Sequence, residues 1–502
     1  MKTMKTTLFL ALVLAVAVSA SPATAQADFS KFVAVGASVD MGVLDGCIVK
    51  YGQIDSWNAI FARQAKAPAF EQPLLDTPGT GCMYLISLAP QFGTRPAAIK
   101  PLNLTLPRPY DNMSISGYTT SDAVNKKSGS SPTDIAGLIL RNLNATQIEQ
   151  AASLKPTFVA IGVYGNDVLG AVLNGTAIDN VTVVPKALYS ANYQKIVDTL
   201  KASQGGTGKG VAHTIPDVTS IAFATTVPPY ITSGGKVVVG PDGKPLTFLG
   251  SKGGNLITPG APMAPIPADS LLTLPAASFL ATGYGIPCAV LDAGGAPAND
   301  PRRANCNKPL PDSATPQLGL PGVVLYPDEL SLLKSRTAEF NAEIQRIATA
   351  AGYKVFDSAA LFADLKTHGR EYAGITVNTA FLSGGITSYD GFHLTSLGYA
   401  IWADEMVQFV NANYGTSIPR VDMSTYLFNG NSSPGGYPVG AAGTTPSVEE
   451  TIEWAAEIFT PENTQQLLSM FPVSFRSSMA APAPEELPVP AEPRSGRVKL
   501  ID

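Results

Sequence analysis

The sequence predicts an α/β fold, a parallel sheet covered by helices, and three observations carry that reading. Short runs rich in β-branched and aromatic residues alternate with longer helical patterns along the chain. Two of the runs, Phe32-Val33-Ala34-Val35 and Phe158-Val159-Ala160-Ile161, are apolar at every position, as strands buried between two helical layers must be. The chain of 502 residues is 45% apolar and only 15% charged, which is ample material for a large core.

The first strand is Phe32 to Val35. A second is expected near Met113 to Ser116, a third over Phe158 to Val163, a fourth over Ser220 to Ala224 and a fifth over Lys354 to Phe356. The clearest helix runs from Asp328 to Ala351, where Leu333, Phe340, Ile344, Ile347 and Ala351 recur at helical spacing and Gly352 ends the pattern. Ile135 to Leu143, Tyr193 to Leu200 and Leu397 to Val410 read likewise. Two segments break the alternation. Between about residues 228 and 321 proline and glycine recur too often for long elements, which marks an insertion; Lys236 to Val239, a turn at Pro241-Asp242-Gly243 and Leu246 to Leu249 read as a hairpin within it. Residues 421–502 read as a low-complexity extension with one amphipathic helix, Val448 to Phe459, before an acidic, proline-rich, disordered tail.

The amino terminus reads as an export signal. Lys2 and Lys5 precede an apolar stretch from Leu8 to Val18, and Ala23-Thr24-Ala25 supplies the small-x-small pattern of a cleavage site, so residues 1–25 read as a signal peptide and 26–420 as the main domain. The apolar stretch is shorter than the ~20 residues that span a bilayer, and no later segment is long and apolar enough to do so. The expected location is outside the cytoplasm, in a periplasm or beyond the cell. An oxidising compartment favours pairing of the four cysteines, Cys288 with Cys306 and Cys47 with Cys82, over four buried thiols. No Cys-x-x-Cys or histidine cluster suggests a metal. With 34 Lys and Arg against 39 Asp and Glu, no basic excess is present for nucleic acid.

The chemistry gathers after the strands. Ser38 in Gly36-Ala37-Ser38-Val39 lies just past the first strand, at the carboxyl edge where open α/β sheets place their ligands. Taken singly it reads as a helix cap. Asp390 precedes His393 by three residues, a spacing that lets a carboxylate hold one ring nitrogen while the other faces a hydroxyl. His213, ahead of the expected fourth strand, and His368, amid Lys366, Arg370 and Glu371, are poorer rivals that read as surface residues. A serine nucleophile also needs donors for a developing oxyanion. Gly117 and Asn166 follow the second and third expected strands, and each alone reads as a turn or cap residue.

The four blocks, in this order, resemble the SGNH hydrolases, also called the GDSL lipase/esterase family, over roughly residues 32–414; Asp390 to Tyr399 is the most specific part. Gln53 through Phe61 to Phe70-Glu71-Gln72-Pro73, and Ile215-Pro216-Asp217-Val218, further resemble exported bacterial members. The resemblance implies a three-layer flavodoxin-like fold with a central five-stranded parallel sheet and no metal or organic cofactor. It implies Ser38 as nucleophile, His393 as general base, Asp390 as its orienting acid, and the Ser38 amide, Gly117 amide and Asn166 side chain as the oxyanion hole. Two positions depart from the family pattern. Ala37 stands where an aspartate usually precedes the serine, and its effect is expected to be a looser turn. Tyr164 stands where the third block usually has glycine, with Gly162 or Gly165 as compensation.

The expected reaction is hydrolysis of carboxylic esters through an acyl-enzyme on Ser38, with a small-molecule or lipid ester as the partner. A histidine base must be neutral to accept the proton, so acidification is expected to slow it. A carbohydrate O-acetyl esterase and a non-catalytic envelope or binding protein on the same scaffold are the alternatives. Leu271, Leu272, Leu274, Phe279 and Leu280 read either as an apolar lid for an acyl chain or as packing of the insertion onto the core.

Overall fold

A computed structural model describes residues 26–428, apart from 88–90, 128–134, 143, 234–235, 252–262 and 313–321, together with residues 456 and 460. The signal-peptide pattern, the proline-rich tail and, but for Ala456, the helix expected over Val448–Phe459 lie outside the described residues.

The core is a parallel sheet of four strands, β1 (Phe32–Val35), β2 (Phe158–Ile161), β3 (Lys209–His213) and β4 (Lys354–Phe356), in that spatial order. Phe32 faces Phe158 in register, Phe158 faces Lys209, and Lys354 faces Val211. Every residue of β1 and β2 is buried, so both sheet faces are covered, as a continuous apolar run demands. The segment expected as a second strand is not one. It touches β1 through a single parallel bridge, Ala34 with Asn112, flanked by bonds from Ala34 N to Asp111 O and from Met113 N to Ala34 O, both 2.9 Å. The strand expected over Ser220 to Ala224 is also displaced. The true strand ends at His213, and a one-turn helix, Ala222–Thr225, occupies the expected place. Apolar content drew the expectation there, whereas Lys209-Gly210 weakens the apolar pattern of the real strand.

Eight helices matter to the site: α1 (Ser38–Met41), α2 (Trp57–Gln64), α3 (Gln147–Ser153), α4 (Asn166–Leu173), α5 (Lys186–Ser203), α6 (Pro327–Ala350), α7 (Ser358–Thr367) and α8 (Ser396–Tyr414). Two packings stand out among them. α2 lies against α8, where Trp57 and Trp402 stack at 6.0 Å, while α5 packs with α3 and α6, where Tyr189 and Phe340 stack at 3.8 Å. Local chemistry sets the helix ends. Thr146 and Glu149 form a reciprocal capping box on α3, and the Thr395 hydroxyl accepts from Gly398 N at 3.1 Å to start α8. α6 begins at Pro327, whose missing N–H costs nothing there, and Gly352 follows its end at φ +78°. The helix expected over Ile135 to Leu143 is shorter, Ile135–Ile139.

The insertion is more regular than its composition suggests. Leu271–Leu272 pairs antiparallel with Val324–Leu325, and short helices form at Ala276–Ala281 and Cys288–Ala293. The expected hairpin is present in part, with Val239 bridging Pro245 around the Asp242-Gly243 turn, while Lys236–Val237 pairs instead with Thr232–Ser233. Disulfides join Cys47 to Cys82 and Cys288 to Cys306. Among the described residues no helix is long and apolar enough to cross a membrane.

Candidate active site

The Ser38 block and the Gly117 block leave the same edge of the sheet side by side. Ile115 N donates to Gly36 O at 3.2 Å, and two residues further along each segment come Ser38 and Gly117. Gly117 holds φ +76°, a left-handed conformation that a side chain disfavours. Among the hydrogen bonds of the described residues none is donated by the Ser38 or Gly117 amide.

Asn166 opens α4 beyond the end of β2. Its Nδ2 donates to Tyr118 O at 2.9 Å, which places its amide next to Gly117. Asp167 stitches the same contact, accepting from Thr120 N and the Thr120 hydroxyl, both at 2.8 Å. Burial pushes the Asp167 carboxyl up to about 7 against the pull of those bonds. The sequence-based reading of Asn166 aimed its amide at a substrate; here one of its two protons is committed to Tyr118.

Asp390 and His393 form a buried pair, with Nδ1 and Oδ2 2.7 Å apart. The carboxylate is saturated: Oδ2 also accepts from Gly46 N at 2.8 Å, and Oδ1 accepts from the Ser388 hydroxyl, Phe392 N and His393 N at 2.8–3.0 Å. Burial alone would raise the Asp390 carboxyl, but the His393 charge, its hydrogen bonds and the Phe392 amide outweigh it and hold the group below its ordinary value. With Nδ1 donating to a carboxylate, Nε2 is left as the acceptor, and it has no hydrogen-bond partner. Ser38 is therefore not hydrogen-bonded to it in this structure. Both residues are nearly closed off, Ser38 3% and His393 1% exposed.

The Asp390 block is fastened to the loop that follows Ser38. Gly46 N reaches Asp390, Asp45 N reaches the Ser388 hydroxyl at 3.2 Å, and the Tyr399 hydroxyl donates to Val43 O at 2.6 Å. Cys47, the next residue, anchors that loop through its disulfide to Cys82. All five residues singled out in the sequence thus lie on loops and helix starts tied to one another by side-chain and backbone bonds.

Three side chains for which the sequence suggested no such role hold this edge together. Asp40, wholly buried, accepts from Ala37 N at 3.0 Å and Val163 N at 3.1 Å through Oδ2, and from Trp57 Nε1 at 3.1 Å through Oδ1. Gln147 donates from Nε2 to Gly36 O and Met113 O at 2.9 and 2.7 Å. Tyr164 donates its hydroxyl to Gln147 Oε1 at 2.7 Å. Asp40 stood in plain view two residues after Ser38, an acidic residue in an apolar run. Gln147 lies 111 and 34 residues from the two carbonyls it holds and carried no local signal.

The rival histidines separate cleanly. His213 does not precede a strand at the surface; it ends β3, fully buried, 4.5 Å from the Trp57 ring and 5.6 Å from the Trp402 ring. Burial drives its value down to about 3, so it is a neutral core residue. His368 is exposed and bonded to Asp364.

The apolar stretch of the insertion packs onto the core. Leu272 and Leu274 are buried, Leu274 N donates to Phe223 O at 2.7 Å, and Phe223 N donates to Gly391 O at 2.8 Å. A side chain at Gly391 would meet Leu274 Cδ1 at 2.6 Å. The insertion is thus part of the wall behind Asp390 and His393. The Phe392 ring, edge-on to Phe223, lies 4.4 Å from the His393 ring. No group of three or more His, Cys, Asp and Glu side chains suited to a metal ion occurs among the described residues. Comparison of the chain with protein-family models, with curated proteins and with solved structures finds no match.

Proposed function

We propose that the chain is an exported serine ester hydrolase of the SGNH type, with Ser38 as nucleophile, His393 as general base and Asp390 as the carboxylate that fixes the imidazole. The segment 112–115 beside β1 would be the fifth strand of a flavodoxin-like sheet. The observation that carries the reading is the buried Asp390–His393 pair, its Nε2 unpartnered, fastened through Gly46 to the loop that follows Ser38.

Neutral His393 would take the Ser38 proton as the hydroxyl attacks an ester carbonyl, and Asp390 would hold the tautomer that keeps Nε2 an acceptor. The Ser38 and Gly117 amides and the second Asn166 Nδ2 proton would receive the tetrahedral oxyanion. His393 would then return the proton to the leaving alcohol, and water would repeat the attack on the acyl-enzyme. Catalytic hydrogen bonds are commonly long in unliganded enzymes and tighten on the substrate, which accommodates the missing bond between Ser38 and Nε2.

That missing bond, with the burial of both residues, favours one other reading, a binding protein on a hydrolase scaffold. Labelling with a fluorophosphonate separates the two without knowledge of the substrate. The expected result is one adduct on Ser38, abolished in Ser38→Ala and strongly slowed in His393→Ala. Absence of labelling, with no turnover of activated esters, would leave only the binding protein.

A further inference from the structure

The first departure from the family pattern leaves the Ser38 turn without the carboxylate usually placed before the serine, yet the turn is not loose. Asp40 reaches back to it. One oxygen, Oδ2, bridges two backbone amides, Ala37 N beside Ser38 and Val163 N just beyond β2. The other, Oδ1, takes the indole N–H of Trp57. The backbone of Asp40 is held as well, its carbonyl accepting from Asn58 Nδ2 at 2.6 Å and Asn112 Nδ2 at 3.1 Å. Space for the carboxylate comes from two glycines: a Cβ on Gly36 would stand 2.1 Å from Oδ2, and one on Gly162 would stand 2.0 Å from Oδ1. Gly162, Val163 and Asn166 lie within one short connection, so a bond to Val163 N also sets where α4 begins.

We propose that Asp40 is a positioning residue of the active site, its carboxylate clamping the amide next to Ser38 to the end of β2 so that nucleophile and Asn166 keep a fixed separation. The role rests on the esterase reading for its purpose but not for its geometry. Three N–H donors converge on the group and none of its oxygens faces a cation, so the side chain acts by accepting bonds. Burial pushes the carboxyl up to about 7 against those donors, which marks how much solvent the site excludes.

An amide side chain separates this role from a merely structural one. In Asp40→Asn a single oxygen remains, so either the two backbone amides or the Trp57 indole must face an NH2 group. Removing the indole donor in Trp57→Phe lifts that conflict and lets the asparagine oxygen serve both amides. The test measures fluorophosphonate labelling rates at Ser38 and hydrogen exchange of the peptides containing Ala37 and Val163 in wild type, Asp40→Asn, Trp57→Phe and the double variant. Asp40→Asn is expected to label about tenfold slower or worse and to exchange faster in those two peptides. The double variant is expected to recover both to within about threefold of Trp57→Phe alone. Gly162→Ala, whose Cβ evicts the carboxylate, should reproduce the Asp40→Asn pattern.

Unchanged exchange at both peptides in Asp40→Asn overturns the clamp. So does a double variant no better than Asp40→Asn, which would mean that charge or bulk matters and not the acceptor. A wild-type protein that does not label would defeat the esterase reading alone, because the exchange comparison would still decide the clamp.

Discussion

Replacing Asp390 by asparagine tests the proposed chemistry at its most determined point. The carboxylate accepts five donors, three at Oδ1 from Ser388, Phe392 and His393 N, and two at Oδ2 from Gly46 N and His393 Nδ1. The asparagine oxygen keeps most bonds by taking the Oδ1 place, which turns the NH2 toward Nδ1 and the Gly46 amide. Nδ1 must then accept, the ring proton moves to Nε2, and the nitrogen proposed to take the Ser38 proton becomes a donor that cannot receive it. The equivalent change in a serine protease triad lowers turnover by about 10⁴ with the geometry intact, and a similar loss is expected here. The Gly46 amide also loses its acceptor, a destabilisation of about 1–3 kcal/mol for a buried donor. The assay is the pseudo-first-order rate of fluorophosphonate adduct formation by intact mass, beside a urea melt. Asp390→Asn should label slowly, His393→Ala at least as slowly, and the double variant no slower than His393→Ala, because the two act as one unit. Labelling of Asp390→Asn at Ser38 within about tenfold of wild type would refute the tautomer argument.

Three further outcomes are expected. Asn166→Ala removes the proposed oxyanion donor and should lower turnover of an activated ester by about 10²–10³ with the urea midpoint little changed; near-normal turnover would reduce the residue to a tie to Tyr118. Loss of the Cys47–Cys82 bridge in the doubly alanine-substituted protein should cost roughly 4 kcal/mol in urea melts by the loop-entropy relation, and should slow labelling because Gly46, the neighbour of Cys47, is no longer held against Asp390. A labelling rate untouched by that loss would detach the disulfide from the site. Stability should fall as pH rises from about 4 to 7, since Asp40 and Asp167, both lifted to about 7 and flanked by the neutral phenols of Tyr164 and Tyr399, bind protons in the folded chain that the unfolded chain has released. His213, pushed down to about 3, opposes one of them below its unfolded value, leaving a net downward slope that Asp40→Asn should flatten; stability that rises over this range in the wild type would contradict it.

What the sequence made legible follows from how local each signal is. β1 and β2 are apolar at every position because both their faces are covered, and α6 shows its burial stripe, its proline start and its terminal glycine within one stretch of chain. The Asp390-x-x-His393 spacing is likewise local, and the structure closes that contact at 2.7 Å. The edge segment at 112–115 and the strand at Lys209–His213 were misread for the opposite reason. One is defined by a few bonds to a neighbour rather than by its own pattern, and the other begins with lysine and glycine, so an apolar run eight residues later looked the better strand.

The two departures from the family pattern show where such reading stops. Ala37 was expected to loosen the turn and Tyr164 to need compensation from Gly162 or Gly165, since each was judged against the residue it replaces. In the structure each departure sits inside a bonding pattern that includes a side chain from elsewhere: the Ala37 amide is taken by Asp40, and the Tyr164 hydroxyl is taken by Gln147, whose Nε2 holds the Gly36 and Met113 carbonyls. Both arrangements satisfy backbone groups that would otherwise be buried without partners, a cost that a folded chain must offset somewhere. A motif records which residues usually meet that demand, while the demand itself belongs to the sheet edge. Substitutions in a motif are therefore better judged by whether each exposed amide and carbonyl of the turn finds a partner than by identity at the motif position, and here Asp40 and Gln147 supply those partners.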